Sequence, residues 1–171
     1  MTVLQNEHFE HNDDGYVVLG TTLWTPISPD EKDRIGRSIN DFNLIQNGWN
    51  VDTHESEHMI ARRYLCTCLK SLQEARVRDI VVICVTHHLP TYRLVHPDYI
   101  NSSIGSAFAC SDMDEYIDCA DVWICGHTHK TVVYKSSTDT ILACNPVGYE
   151  RENPSYEMMT IDTVLHTIEY R

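Results

Sequence analysis

A chain of 171 residues, 42% hydrophobic and 22% charged, is long enough for one packed domain and too apolar to remain unfolded. Thirteen Lys and Arg against 25 Asp and Glu give a formal charge of −12, which excludes broad attraction to nucleic-acid backbones or anionic membranes and places most carboxylates on the solvated surface. Seven cysteines with no Cys-x-x-Cys spacing exclude a zinc ribbon and indicate reduced thiols, and neither a signal peptide nor a membrane-spanning run is present, so a cytoplasmic protein without structural disulfides is expected.

The first element in chain order is a strand at Tyr16–Gly20, introduced by the turn-like residues 12–15 and followed by a loop from Thr21 to Pro29. Between residues 30 and 46, Ile35, Ile39, Phe42 and Ile45 recur at near-helical spacing, with Gly36 interrupting the pattern and Asn47-Gly48 ending it. A second helix follows, capped by Asp52 with Glu55 three residues on, its apolar stripe of Ala61, Leu65, Cys68, Leu69 and Leu72 running to about Ala75. Ile80–Val85 is continuously apolar and β-branched, which predicts a strand buried on both faces, ending at Thr86-His87-His88. Ser111 and Asp114 predict a capped short helix through Ala120, feeding a second buried strand at Val122–Cys125 that also ends in histidines. Beyond His129 the pattern turns wholly to strands, at 131–135, 140–144, 156–161 and 164–170, so the expected fold is a mixed α/β layered domain closed by a β meander.

Ligands of open α/β sheets gather at the carboxyl ends of strands, and two strands here end in His87 and in His127-Thr-His129. On an extended backbone His127 and His129 would project to one side, with Gly126 allowing a sharp turn before them. Three histidines at two matching positions point to a divalent-metal site more than to loop histidines bonded to nearby backbone. A competing motif, His54-Glu-Ser-Glu-His58, matches the His-Glu-x-x-His pattern of zinc peptidases, in which Glu55 would be the general base. The same residues also read as the polar first turns of a helix.

Val85-Thr-His-His-Leu-Pro90 and Trp123-Ile-Cys-Gly-His-Thr-His129 resemble motifs of the calcineurin-like metallophosphoesterase family. Leu19-Gly-Thr-Thr-Leu-Trp24, Ile39-Asn-Asp-Phe42, Asn145-Pro-Val-Gly-Tyr149 and Glu152-Asn-Pro154 are similar to one bacterial-type branch, so the resemblance covers nearly the whole chain. It implies a β-sandwich flanked by helices and a pair of metals that activate water to attack a phosphoester. It also implies that His87 and His127 bind one metal and His129 the other, with His88 as the alternative ligand to His87. The family motifs Asp-x-His, Gly-Asp-x-x-Asp and Gly-Asn-His-Glu have no counterpart ahead of Leu19, and the only Asp-x-His, Asp52-Thr-His54, opens a helix.

The chain is therefore expected to be a single domain, the C-terminal part of such a phosphoesterase, incomplete or inactive by itself and with no catalytic residue assigned. One divalent ion (Mn, Fe or Zn) is expected, because neutral imidazoles without a bridging carboxylate do not hold two dications about 3.5 to 4 Å apart. Expected partners are a phosphoester substrate and a partner chain or second copy covering an exposed sheet face. The alternative is a non-catalytic binding or structural remnant.

Overall fold

The computed structural model describes residues 3–11, 15–75, 80–150, 152–153, 156–163 and 167–170. It is a layered mixed α/β fold. Strands β1 (Glu7–His11), β2 (Tyr16–Thr21), β3 (Val81–Thr86), β4 (Val122–Cys125), β5 (Val132–Lys135) and β6 (Ile141–Cys144) form a six-stranded sheet in the order β1-β2-β3-β4-β6-β5. β2, β3, β4 and β6 run parallel to one another, with antiparallel β1 and β5 at the edges. β7 (Met159–Asp162) and β8 (Thr167–Tyr170) pair separately as an antiparallel hairpin. The expected meander is thus corrected. The chain crosses to the edge as β5 and returns as β6 beside β4, because the wholly buried Ile141–Cys144 belongs inside the sheet and the half-buried Val132–Lys135 at its rim. The turn read at residues 12–14 and the strand start at 164–166 lie outside the described residues.

Strand register explains how the core assembles. Leu19, Cys84, Trp123, Leu142 and Tyr134 are lateral neighbours in one row, and this face packs on Ala61, Leu65 and Leu69 of the long helix and on Met113 and Ile117. Trp123 is fully buried, and its indole N–H donates to Thr86 Oγ1 at 3.1 Å, so the largest core side chain leaves no unpaired polar atom. The opposite row, Gly20, Val85, Ile124, Ala143 and Val133, faces away from this core. Val85 and Ile124 are 38% and 37% exposed on it while Val81 and Ile83 are half-buried, so β3 is covered on one face and only partly on the other.

The helices differ from the sequence reading in their ends. Residues 30–46 form two short helices, α1 (Lys32–Ser38) and α2 (Asp41–Leu44), because Ile39 takes an extended conformation that breaks the i to i+4 ladder. The long helix α3 (Val51–Glu74) is capped by Asn50, whose side chain accepts from the Thr53 N–H, and not by Asp52. Residues Asp114–Cys119 form a 3-10 helix that lacks a side-chain cap at Met113, in place of the α-helix capped by Ser111. β1 was not anticipated: its Glu-His-Phe-Glu-His sequence is largely exposed and shows no buried alternation. Cys84, Cys125 and Cys144 are buried thiols.

Core burial along α3 has a measurable consequence. Leu65 is fully buried and Met59, on the same helix, is 71% exposed. Leu65→Ala is expected to lower unfolding free energy by about 2–5 kcal/mol, while Met59→Ala changes it little. Equal urea midpoints for the two variants would contradict this packing.

Candidate functional site

The loop after β2 determines where the site lies. Leu23 and Trp24 both adopt left-handed φ, 71° and 53°, a conformation that side-chain-bearing residues hold only when the surroundings enforce it. The enforcing groups come from α3. His58 Nδ1 donates to the Leu23 carbonyl at 3.1 Å, and the Thr25 N–H donates to His54 Nε2 at 3.2 Å. The strained loop in turn presents the Thr22 carbonyl to the end of β3, where it accepts from the backbone N–H groups of His87 at 3.3 Å and His88 at 3.1 Å.

These contacts give the His-Glu-x-x-His segment a structural role. Both of its imidazoles are buried and held inside the fold: His54 accepts from Thr25, and His58 bridges Leu23 and the Asp112 carboxylate, 3.0 Å from Nε2. Glu55 pairs with Lys32 at 2.6 Å. Burial, followed by repulsion from His58, lowers the pKa of His54 to about 4, which agrees with its role as a neutral acceptor. Burial alone would raise the Asp112 carboxyl, but the bond and charge of His58 and then Cys110 and Arg62 hold it below its usual value.

Of the three predicted ligands, the structure brings His87 and His127 into contact: His87 Nε2 lies 3.1 Å from His127 Nδ1. Nitrogens bound to one tetrahedral zinc at 2.0–2.1 Å would be about 3.3 Å apart, so the pair already has the bite of a metal chelate. His127 Nε2 lies 3.2 Å from the Ala107 carbonyl, to which it donates, leaving Nδ1 as the lone-pair nitrogen directed at His87. Burial, then repulsion from His87, lowers the His127 pKa to about 3, and His87, open to solvent along one edge, is lowered chiefly by desolvation against its neighbours. Both are neutral bases at physiological pH, the form a metal requires.

His129 is directed elsewhere. The extended His-x-His expectation is corrected: His127 and His129 both take left-handed φ, 66° and 53°, which sends the first ring toward His87 and Ala107 and the second toward Glu152. No positive φ occurs at Gly126, so the sharp step is made by His127 itself. His129 Nδ1 lies 2.6 Å from Glu152 Oε2 and its ring meets Tyr149 edge-on at 4.7 Å. Gly148 permits this approach: it has φ 73°, and a Cβ there would sit 3.3 Å from that of His129.

His88, the alternative to His87, is fully buried under Trp24 and His127, with ring centroids 5.1 and 4.1 Å away. Its Nδ1 faces the Thr22 carbonyl at 3.4 Å and Nε2 has no partner among the described residues. Two relevant carboxylates were missed as site residues although their segments were singled out. Asp41 acts electrostatically on His87, and Glu152 holds His129. Burial raises the Asp41 carboxyl and the charge of His87 opposes the rise. Among the described residues no three His, Cys, Asp or Glu side chains converge on a common metal position.

No known-family profile matches the chain. It is similar to the uncharacterized protein L509 of Acanthamoeba polyphaga mimivirus, 28% identical over 192 residues, spanning 95% of this chain and 61% of that protein. The chain thus spans about three fifths of the curated relative it matches. A solved structure provisionally assigned as a 5′-nucleotidase of Staphylococcus aureus, in complex with alpha-ketoglutarate, aligns with 96% of this chain and 28% of its own at a TM-score of 0.41 and 12% identity. Likeness at that level carries no argument about the site. No helix among the described residues is long and apolar enough to cross a membrane.

Neutral buried imidazoles make stability depend on pH. His54 and His127 gain protons near pH 4 and 3 in the folded chain but near about 6.5 once unfolded. Between these values the unfolded chain binds more protons, so stability rises with pH. Full stability is expected above about pH 6.5, with progressive loss as the pH falls toward 4, and His54→Gln should flatten the slope. Urea midpoints that stay constant between about pH 7 and pH 5 would contradict the neutral assignment.

Proposed function

We propose that this chain is the C-terminal part of a metal-dependent phosphoesterase domain of the calcineurin-like type, with His87 and His127 as ligands of one divalent cation and His129 as a neighbouring ligand or substrate contact. The observation that carries the reading is the 3.1 Å approach of His87 Nε2 to His127 Nδ1, with His127 oriented by the Ala107 carbonyl. Orientation of a ligand histidine by a backbone acceptor is the usual support of a metal site. Mn²⁺, Fe²⁺ or Zn²⁺ bound there would supply Lewis acidity toward a phosphoryl oxygen. The residues of this chain would hold that cation, and Asp41 would offset part of its charge. Trp24 and Phe108 wall the histidine group on its inner side, Trp24 against His88 and Phe108 against His127, at centroid separations of 5.1 and 5.7 Å.

Hydrolysis would need carboxylates beyond those the two strand ends provide. The exposed apolar row of Val85 and Ile124 is the surface on which a partner carrying them would lie, and both residues belong to the strands that end in the histidines. A second reading, a non-catalytic remnant, is favoured by the same short contact. At 3.1 Å an N–H of His87 can donate directly to the His127 lone pair, satisfying both rings without a metal.

Calorimetric titration with Mn²⁺ and with Zn²⁺ separates the two. One site per chain is expected, lost in His127→Ala and weakened at least about tenfold in His87→Ala, while His58→Gln retains it. Loss of binding in His58→Gln but not in His127→Ala would support the peptidase motif, and no binding to any of them would leave the remnant. Turnover of a nitrophenyl phosphodiester by the chain alone with Mn²⁺ is expected to be negligible. Robust turnover would refute the incompleteness of the site.

A further inference from the structure

Away from the histidines, the outer side of α3 carries a cavity of about 630 Å³ lined by Met59, Ile60, Arg62, Arg63, Lys70 and Tyr116, among others. Its composition departs from the rest of the molecule. The segment Met59–Lys70 holds three cations and no carboxylate, in a chain whose formal charge is −12. Its apolar members are exposed, Met59 by 71% and Ile60 by 42%, and lie off the buried stripe of His54, His58, Ala61, Leu65 and Leu69. They contribute nothing to the core that α3 covers.

The cations are arranged along one wall. Arg62 Nε is held by Asp112 at 2.8 Å, with Glu115 at 3.8 Å from its NH2 group, which fixes the guanidinium at the groove edge. Lys70 Nζ lies 5.3 Å above the Tyr116 ring, and neither it nor Arg63 makes an ion pair among the described residues. Asp112 is therefore committed to Arg62, Glu115 acts on both Arg62 and Lys70, and Arg63 makes no ion pair among the described residues. From Ser56 to Lys70 the helix advances roughly 21 Å at 1.5 Å per residue, the reach of about six extended residues.

We propose that this groove docks a short acidic segment of a partner protein, with an apolar side chain seated against Met59 and Ile60 and flanking carboxylates facing Arg63 and Lys70. Charge complementarity selects this occupant. The −12 charge opposes a polyphosphate strand or an anionic bilayer at longer range, whereas a peptide a few residues long meets mainly the local cations within a screening length. Exposed methionine suits such a surface, because its flexible thioether adapts to different apolar partners. This site is independent of the metal reading, since it uses none of the strand-end histidines.

The test is fluorescence anisotropy of the 171-residue chain with a fluorescein-labelled peptide, Gly-Glu-Asp-Leu-Phe-Asp-Glu-Gly, against a control carrying Lys in place of each acid. Saturable binding of the acidic peptide alone is expected, weakened about tenfold or more by the R63E/K70E pair and by raising salt from about 50 to about 500 mM. Met59→Asp should weaken it as well. These residues are at the surface, so circular dichroism melts should match the parent and exclude unfolding as the cause. Absent saturation, binding of the control, or indifference to R63E/K70E each overturns the proposal. So does groove-dependent binding to phosphatidylserine vesicles without peptide binding, which would assign the surface to a membrane.

Discussion

The carbonyl of Thr22 is the point on which the arrangement of histidines depends. It accepts from the backbone of both His87 and His88, so the end of β3 is located by a loop and not by the sheet alone. That loop is strained at Leu23 and Trp24, and each left-handed residue of this kind costs on the order of 1 kcal/mol or more unless its surroundings hold it. The holding contacts are the two α3 histidines, with His58 on Leu23 and His54 on Thr25. A continuous path of contacts therefore runs from the Asp112 carboxylate through His58, Leu23 and Thr22 to His87.

The same path explains why the central helix places imidazoles where a core helix would ordinarily place leucines. A leucine at position 58 would fill the space but leave the Leu23 carbonyl without a donor, a desolvation cost of about 1–3 kcal/mol. His58 satisfies both that carbonyl and Asp112, and Arg62 on the next turn donates to the same Asp112 Oδ2 at 2.8 Å. Trp24, Trp49 and Phe42 close over His54, with Trp24 and Trp49 centroids 4.6 Å apart, so this polar clamp sits in an aromatic wrapping that excludes water. Low local polarity in turn keeps His54 neutral.

What could be read from the sequence was what depends on local period and strand ends. The continuous apolar runs at 80–85 and 122–125 mark parallel strands, and histidines after such runs fall at one edge of the sheet; that much placed His87 beside His127. The divergence of His129 could not be read, because it follows from the sign of φ at two non-glycine residues, which side-chain pattern does not encode. Asp41 and Glu152 were likewise invisible as site residues, since each reaches its histidine from a segment distant in sequence. The His-Glu-x-x-His pattern was legible as a motif but not as a clamp, because Thr25, Leu23 and Asp112 become its partners only after the chain has folded. β1 escaped notice for the opposite reason: an exposed edge strand buries too little to leave a pattern.

Electrostatics sets the capacity of the histidine group. His87, His88 and His127 are neutral, and each end of the group has one carboxylate close by, Asp41 near His87 and Glu152 on His129. Two dications about 4 Å apart repel by roughly 17 kcal/mol even at an effective dielectric constant of about 20, and no neutral ring bridging them offsets that. One dication at the His87 and His127 pair meets the Asp41 charge and leaves the 2.6 Å bond between His129 and Glu152 intact. A second ion could be met by His129 Nε2 while Nδ1 stays on Glu152, but it would have to bring a bridging anion of its own. Under the proposed metal reading, donor chemistry would limit the chain's own residues to one cation, and any carboxylate arriving over the Val85 and Ile124 face would change that capacity as well as the reactivity.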